Sequence, residues 1–148
     1  MPAEVLAEMV RLARPGGWVA GLEPDADTAI CYPPVHAFDR LSEIFTVALS
    51  RNGADPCIGR RMAELYRQAG LEDVAVKARA TVCPAGHSRR TLRADLVRAM
   101  RPQILEMGLA EEQELDELDA TVRKHLENPD TLVMYLMFLA WGRKPAFA

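Results

Sequence analysis

Two carboxylates and one histidine are the side chains of this chain best placed for chemistry on a bound molecule. Glu23 and Asp25 follow the short apolar segment 18–22, and His36 comes a few residues later. Open α/β sheets bind their ligands beyond the carboxyl ends of the strands, in loops that often carry functional residues. A carboxylate there could orient a hydroxyl group or accept its proton, and an imidazole could act as a general base. We expect these three residues to be the catalytic candidates. The alternatives are turn chemistry for the Glu-Pro-Asp stretch and an ordinary surface histidine at a helix start.

The cysteines do not predict a metal centre. Cys31 precedes His36, and Cys83 precedes His87, but structural zinc sites need four ligands and commonly use Cys-x-x-Cys pairs. We therefore expect no metal site, and no partner that would activate a catalytic cysteine is evident. With Cys57 the chain has three cysteines, too few for a disulfide framework, so a reducing, cytoplasmic location is expected.

Charge is unevenly distributed along the second half of the sequence. Residues 77–101 carry seven basic side chains and one acid, whereas residues 106–119 carry seven acids and no base. A basic patch could contact nucleic acid, but no aromatic residue interleaves with these arginines, as binding to single strands would favour. The net charge of −3 also argues against a nucleic-acid partner. We expect adjacent helices with complementary solvated faces. Arg60 and Arg61 open another helix, where a carboxylate or a bound anion should compensate them.

The elements that position these residues alternate between helix and strand, which predicts an α/β fold in a single domain over 1–148. Apolar periodicity predicts about five helices and three strands. The helices are expected over about 3–13, 37–51, 58–69, 90–107 and 110–127, and the strands over 18–22, 73–82 and 132–142.

The last strand is the most hydrophobic and is apolar on both faces, which favours a central position in the sheet. Strand 18–22 is then left with an apolar, uncharged edge that something should cover. No run is long enough to span a bilayer, so no membrane partner is expected.

Several blocks of the sequence resemble class I S-adenosylmethionine-dependent methyltransferases of the small-molecule, ubiquinone/menaquinone type. The helix that ends in Arg14-Pro15-Gly16-Gly17 is similar to the one that leads into the family's fifth strand. The blocks 52–53, 58–61 and 69–74 resemble the family's next helix and its sixth strand, and 140–145 resembles the seventh strand. The resemblance implies a partial Rossmann-like sheet with the strand order 18–22, 132–142, 73–82, in which the last strand is antiparallel and lies in the middle.

The resemblance also implies a function. The family transfers a methyl group to a small-molecule acceptor, and Glu23, Asp25 and His36 would lie on the acceptor side. The insertion 90–127 would cover the acceptor pocket, with Met100, Ile104, Met107, Leu115 and Leu118 as its wall; alternatively these residues are core only.

The family's cofactor site needs a glycine-rich loop between a strand and a helix, and Gly16-Gly17 precede a strand instead. We expect no cofactor-binding residue in this chain, which would be a fragment lacking the cofactor-binding N-terminal half of the enzyme and inactive alone. A homodimer or the missing half would complete the sheet. The alternative is a non-catalytic module, derived from the same fold, that binds a small molecule or a partner.

Overall fold

A computed structural model describes residues 2–146 and shows a three-stranded sheet with six α-helices in those residues. The helices are α1 (Pro2–Leu12), α2 (His36–Arg51), α3 (Met62–Gln68), α4 (Leu92–Ala99), α5 (Arg101–Glu106) and α6 (Glu112–Leu126), and a short 3₁₀ helix (Ile58–Arg61) leads into α3. The strands are β1 (Trp18–Tyr32), β2 (Glu72–Cys83) and β3 (Leu132–Arg143).

The strand order is β1-β3-β2, and the sheet is antiparallel. The prediction that the last strand lies in the middle is confirmed, as is the α/β class. The most apolar strand, β3, is central and has a neighbouring strand on each edge. Strands β1 and β2 each keep one edge without a strand partner among the described residues.

Strand β1 is much longer than the predicted segment 18–22. The polar stretch 23–27 and the following residues, expected as a break and a loop, continue the strand to Tyr32. Pro24 is compatible with this because a proline on an edge strand can turn its missing N–H away from the sheet. Glu23 and Asp25 therefore lie within β1 and not beyond its carboxyl end.

Two other elements differ from the prediction. The helix expected over 90–107 is divided into α4 and α5, because Pro102 lacks the N–H that a continuous helix would use and is accommodated in the first turn of a new one. Strand β2 is at the edge of the sheet, as expected. The apolar residues that alternate along 74–82 predict one buried face, but residues 76–80 are exposed on both faces, so that prediction is wrong.

The described chain divides into two compact units, each of which takes residues from all three strands. The first unit contains residues 2–25, 57–79 and 136–146, and the second contains residues 26–56 and 80–135. That the chain is one domain with a helical insertion over 90–127 stays a prediction.

The first unit is built on a small apolar cluster from α1, α3 and the strands: Leu6, Val19, Met62, Tyr66, Leu71 and Ala140. Gly70 ends α3 with a φ of +76°, a conformation that glycine adopts readily, and Leu71 then packs back into the cluster. Lys144 holds the carboxyl end of α1, since its Nζ donates to the carbonyl oxygens of Val10 at 2.8 Å and Ala13 at 2.9 Å.

The second unit has the larger core, which α2, α4, α5 and α6 form with the ends of the strands. Ile104 and Leu115 are buried in it, and Met100, Met107 and Leu118 pack against it. All five residues that were considered as pocket walls thus belong to this core. No helix among residues 2–146 has the length and apolar character needed to cross a membrane.

Candidate functional site

Asp25 lies on β1 in the first unit and forms a buried, two-pronged ion pair. Its side chain is 2% exposed, and both carboxylate oxygens accept hydrogen bonds from Arg60: Nε to Oδ2 at 2.6 Å and Nη2 to Oδ1 at 2.8 Å. A buried carboxylate is tolerated when a guanidinium matches its geometry in this way. Asp25 is thus the carboxylate that the sequence requires to compensate Arg60 at the start of its helix. Its proposed role as a base stays a prediction.

Close packing on β3 holds the 3₁₀ helix that carries Arg60. A Cβ on Gly59 would lie 2.6 Å from the Cδ2 atom of Phe138, so only glycine lets the helix approach the strand this closely. Cys57, just before the helix, places its Sγ 3.4 Å from Oδ1 of Asp25. The ion pair is therefore positioned by a backbone approach that depends on one residue without a side chain.

Glu23 lies two residues before Asp25 and is exposed. Side chains at this spacing leave a strand on the same side, so Glu23 belongs to the side of β1 that carries the Asp25 pair. Tyr66 of α3 is buried nearby, and burial together with the negative charge of Glu23 raises the pKa of its phenol. A Cβ on Gly21 would lie 2.9 Å from the Tyr66 hydroxyl, so this glycine makes room for the ring.

These residues give the first unit one accessible carboxylate, one neutral phenol and one neutralised ion pair. Glu23 can accept a hydrogen bond or a proton from a bound group. The Tyr66 phenol beside it is buried, and burial raises its pKa, so it stays protonated. Tyr66 is a residue that the sequence reasoning missed as a site candidate, because its helical spacing marked it as core.

His36 belongs to the second unit, where it is the first residue of α2 and is exposed. That unit also contains an open groove of about 390 Å³ between the end of β1 and α2. Three carboxylates and two hydroxyls line it, with apolar residues beside them: Asp27, Asp39, Glu43, Ser42, Thr46, Ala26, Ala29 and Val47. The groove is suited to polar or cationic groups, although Glu43 already pairs with Arg40 at 2.9 Å.

Two arginines of the basic segment are buried in the second unit and do not form a solvated face. Arg90 donates to four backbone carbonyls, those of Leu126, Cys83, Thr131 and Asn128. Arg93 is 3% exposed, lies 4.4 Å from the centre of the Phe45 ring and donates to the Ala26 carbonyl at 3.0 Å. Burial lowers the pKa of Arg93. Sequence charge alone could not separate these two from the solvated arginines.

The other arginines of this segment that lie on the helices pair with the acidic segment, as expected. Arg98 contacts Asp119 at 2.6 Å, and Arg101 contacts Asp116 at 2.6 Å and Glu112 at 3.1 Å. These contacts join α4 and α5 to α6, so the expectation of complementary helix faces is confirmed for this pair of arginines.

The residues present do not fit S-adenosylmethionine. At the Gly16-Gly17 turn, both amides are already used: Gly16 donates to the Lys144 carbonyl at 3.0 Å, and Gly17 donates to the Arg14 carbonyl at 2.8 Å. The turn leads from a helix into a strand, whereas the cofactor loop of class I methyltransferases leads from a strand into a helix. The other glycines with positive φ lie at helix ends or, like Gly86, in a turn after a strand. The described residues therefore offer no backbone cradle for this cofactor.

No family model matches the chain, and no curated protein matches it.

Proposed function

We propose that this chain is the acceptor-side part of an S-adenosylmethionine-dependent methyltransferase that acts on a small molecule. One observation carries the proposal: the strand order β1-β3-β2, with the last strand antiparallel in the middle. The sequence resemblance implies this order. The order is uncommon among three-stranded sheets, because strands that are consecutive along the chain usually lie next to each other.

The chain's own residues would bind and orient the acceptor. Glu23 is the accessible carboxylate on the side of β1 that carries the Asp25 pair, and it would hold or deprotonate a hydroxyl group of the acceptor, beside the protonated Tyr66. Asp25 would act through Arg60 as a positioning residue, since both of its oxygens are bound. His36 is the candidate base of the second unit. The cofactor would be held by residues other than those described here.

The first experiment supplies the cofactor-binding half that this chain is proposed to lack. The chain is produced together with the segment that its gene encodes upstream, and transfer of a labelled methyl group from S-adenosylmethionine to a small-molecule extract is measured. We expect labelled product, a much slower reaction for Glu23→Gln, and no change for the matched control Glu72→Gln at the exposed start of β2. If no such segment is encoded and no label is transferred, the chain is a non-catalytic module instead.

A second experiment tests the cofactor site separately. Calorimetric titration of the isolated chain with S-adenosylmethionine and S-adenosylhomocysteine should give no heat of binding. Micromolar binding would show that this chain carries a cofactor site, which would contradict the proposal that the cofactor is held by other residues.

A further inference from the structure

The outer edge of β1 carries unpaired backbone groups next to exposed apolar side chains. The Gly17 carbonyl accepts a hydrogen bond from Lys144, in the segment that follows β3, so odd-numbered residues at the start of β1 turn toward β3. The N–H and C=O groups of Trp18, Ala20 and Leu22 therefore point outward, where the described residues provide no partner. The side chains of Trp18 and Leu22 are 58% and 51% exposed. An edge of this kind is a template for another strand.

The outward run has a defined beginning and end. At one end the Gly16 N–H is already bonded within its own chain, and at the other end Pro24 has no N–H to donate. Ala20 lies midway between these two ends. The outward-facing residues are therefore arranged symmetrically, with Trp18 on one side of the small central Ala20 and Leu22 on the other.

We propose that this edge pairs with the same edge of a second copy of the chain, antiparallel, about a two-fold axis through Ala20. The register places Ala20 opposite its own copy and Trp18 opposite Leu22 of the second copy. Each of these opposed pairs exchanges two backbone hydrogen bonds. Pro24 then lies opposite Gly16. No N–H group is left unpaired at either end, because proline has none and the Gly16 N–H is already bonded within its own chain. If the axis moved by one residue, either Trp18 would lie opposite Pro24 or Leu22 would lie opposite Gly16, and backbone hydrogen bonds would be lost.

The side chains on this edge suit a copy of themselves. Residues 18–22 carry no charge, and in this register Glu23 is opposite Gly17, so the pairing brings no like charges together. The other edge strand, β2, carries Lys77 and Arg79 near its middle and is protected from pairing by charge. The choice between the two open edges is therefore made by electrostatics.

Helix α1 provides the additional contact area that a stable dimer needs, because five paired residues cover little of the roughly 1,200 Å² typical of specific interfaces. Leu6 and Val10 of α1 pack into the first unit's core, but Val5, Met9 and Leu12 form a second apolar stripe that is exposed. This stripe lies about a quarter turn around the helix from the buried one. A two-fold axis perpendicular to the sheet brings both α1 helices to the same side of it, beside the strand pair.

The mass of the intact chain in solution tests the proposal directly. Sedimentation equilibrium at micromolar concentration should give twice the 16.4 kDa of the chain. A monomer at every concentration would overturn the proposal and would leave the edge to a different polypeptide. The inference concerns the isolated chain and does not rest on the proposed function. A cofactor-binding half that pairs with this same edge would replace the second copy, so the dimer is expected where the chain is produced without that half.

Matched substitutions locate the interface. The Ala20→Pro chain should fold, since the N–H that it loses points outward, as at Pro24. It removes the hydrogen bonds at the centre of the strand pair. Leu22→Lys instead places two ammonium groups in the interface. Each should raise the dissociation constant by about tenfold or more, because every change occurs twice. Val82→Lys makes a comparable change at an exposed apolar residue of the other edge strand, β2, and should have no effect. Dimers that survive the first two variants, or that break with Val82→Lys, would refute the edge pairing.

Hydrogen exchange provides a readout that needs no variant. In the wild-type chain the amides of Trp18, Ala20 and Leu22 should exchange slowly, and their protection should increase with protein concentration. Fast exchange of these three amides in a concentrated sample would contradict the proposal.

Discussion

At the scale of single residues, the charge of Asp25 is tolerated inside the first unit because Arg60 neutralises it. The carboxylate is buried, whereas the guanidinium is half exposed. Such a pair contributes little net stability when intact, but removing one partner leaves the other charge without compensation. The two members should therefore respond very differently to single and double replacement.

Arg60→Gln should lower the free energy of unfolding by about 2–3 kcal/mol, less than for a fully buried pair because Arg60 is partly in water. The double variant Asp25→Asn/Arg60→Gln should recover most of this loss, since no buried charge remains. Urea unfolding measures both, with Arg67→Gln on exposed α3 surface as the control. Strictly additive effects of the two substitutions would show that the residues are not coupled.

Tyr135 should make the stability depend on alkaline pH. Burial raises its pKa to about 12, from about 10 in the unfolded chain, and its hydroxyl accepts a bond from the Arg93 backbone N–H. Between these values the folded state binds more protons than the unfolded state, so the free energy of unfolding falls as pH rises from 10 to 12. The contribution of Tyr135 to this loss should approach about 2–3 kcal/mol. Tyr135→Phe should lack this contribution and keep that of Tyr66, whose pKa is also raised, and parallel pH profiles for the two proteins would contradict the assignment.

At the scale of elements, the position of α1 depends on a residue from the other end of the chain. The carboxyl end of a helix has backbone carbonyls without intrahelical partners and attracts positive charge. Lys144 meets both needs, with donor distances of 2.8 Å to the Val10 carbonyl and 2.9 Å to that of Ala13. The same segment also bonds to the Gly16-Gly17 turn, so α1, the turn and the end of β3 are linked.

Lys144→Met keeps most of the apolar stem but removes this cap. We expect a loss of about 1–2 kcal/mol in the free energy of unfolding, from hydrogen bonds to a charged donor and from the helix dipole. Amide exchange in α1 should become faster than in α6. Lys124→Met, an exposed lysine near the end of α6, should change neither quantity; equal losses from both variants would mean that the cap has no specific role.

At the scale of the whole molecule, most of the arginine charge in the helical part of the basic segment is used within the chain. Arg90 and Arg93 are buried, and Arg98 and Arg101 are paired with carboxylates of α6. Four of the seven basic side chains that the sequence offers to nucleic acid over 77–101 are therefore buried or paired in the folded protein.

We accordingly expect no binding to a fluorescently labelled single-stranded DNA at low salt, measured by anisotropy. Binding through the remaining basic residues would instead be strong at low salt and fall steeply as salt is added. A steep dependence, abolished by Lys77→Gln/Arg79→Gln on the exposed strand β2, would overturn this expectation.

The sequence by itself determined most of the helices, the central place of the most hydrophobic strand and the open edge of the first. These follow from local periodicity and from apolar content, which any neighbouring structure must respect. It also anticipated that Arg60 needs a negative partner. Pro102 is the local signal for the division of the helix predicted over 90–107, because proline favours the first turn of a new helix.

Only the tertiary structure decided which charges are buried. Asp25 and Arg60 are 35 residues apart, and Arg90 bonds to carbonyls up to 41 residues away, so no local pattern marks either one. The same reason explains the length of β1: a polar stretch with a proline is an ordinary turn signal until a distant guanidinium neutralises its carboxylate. Burial of charge depends on partners that the chain brings together only when it folds, and that information is not contained in the spacing of neighbouring residues.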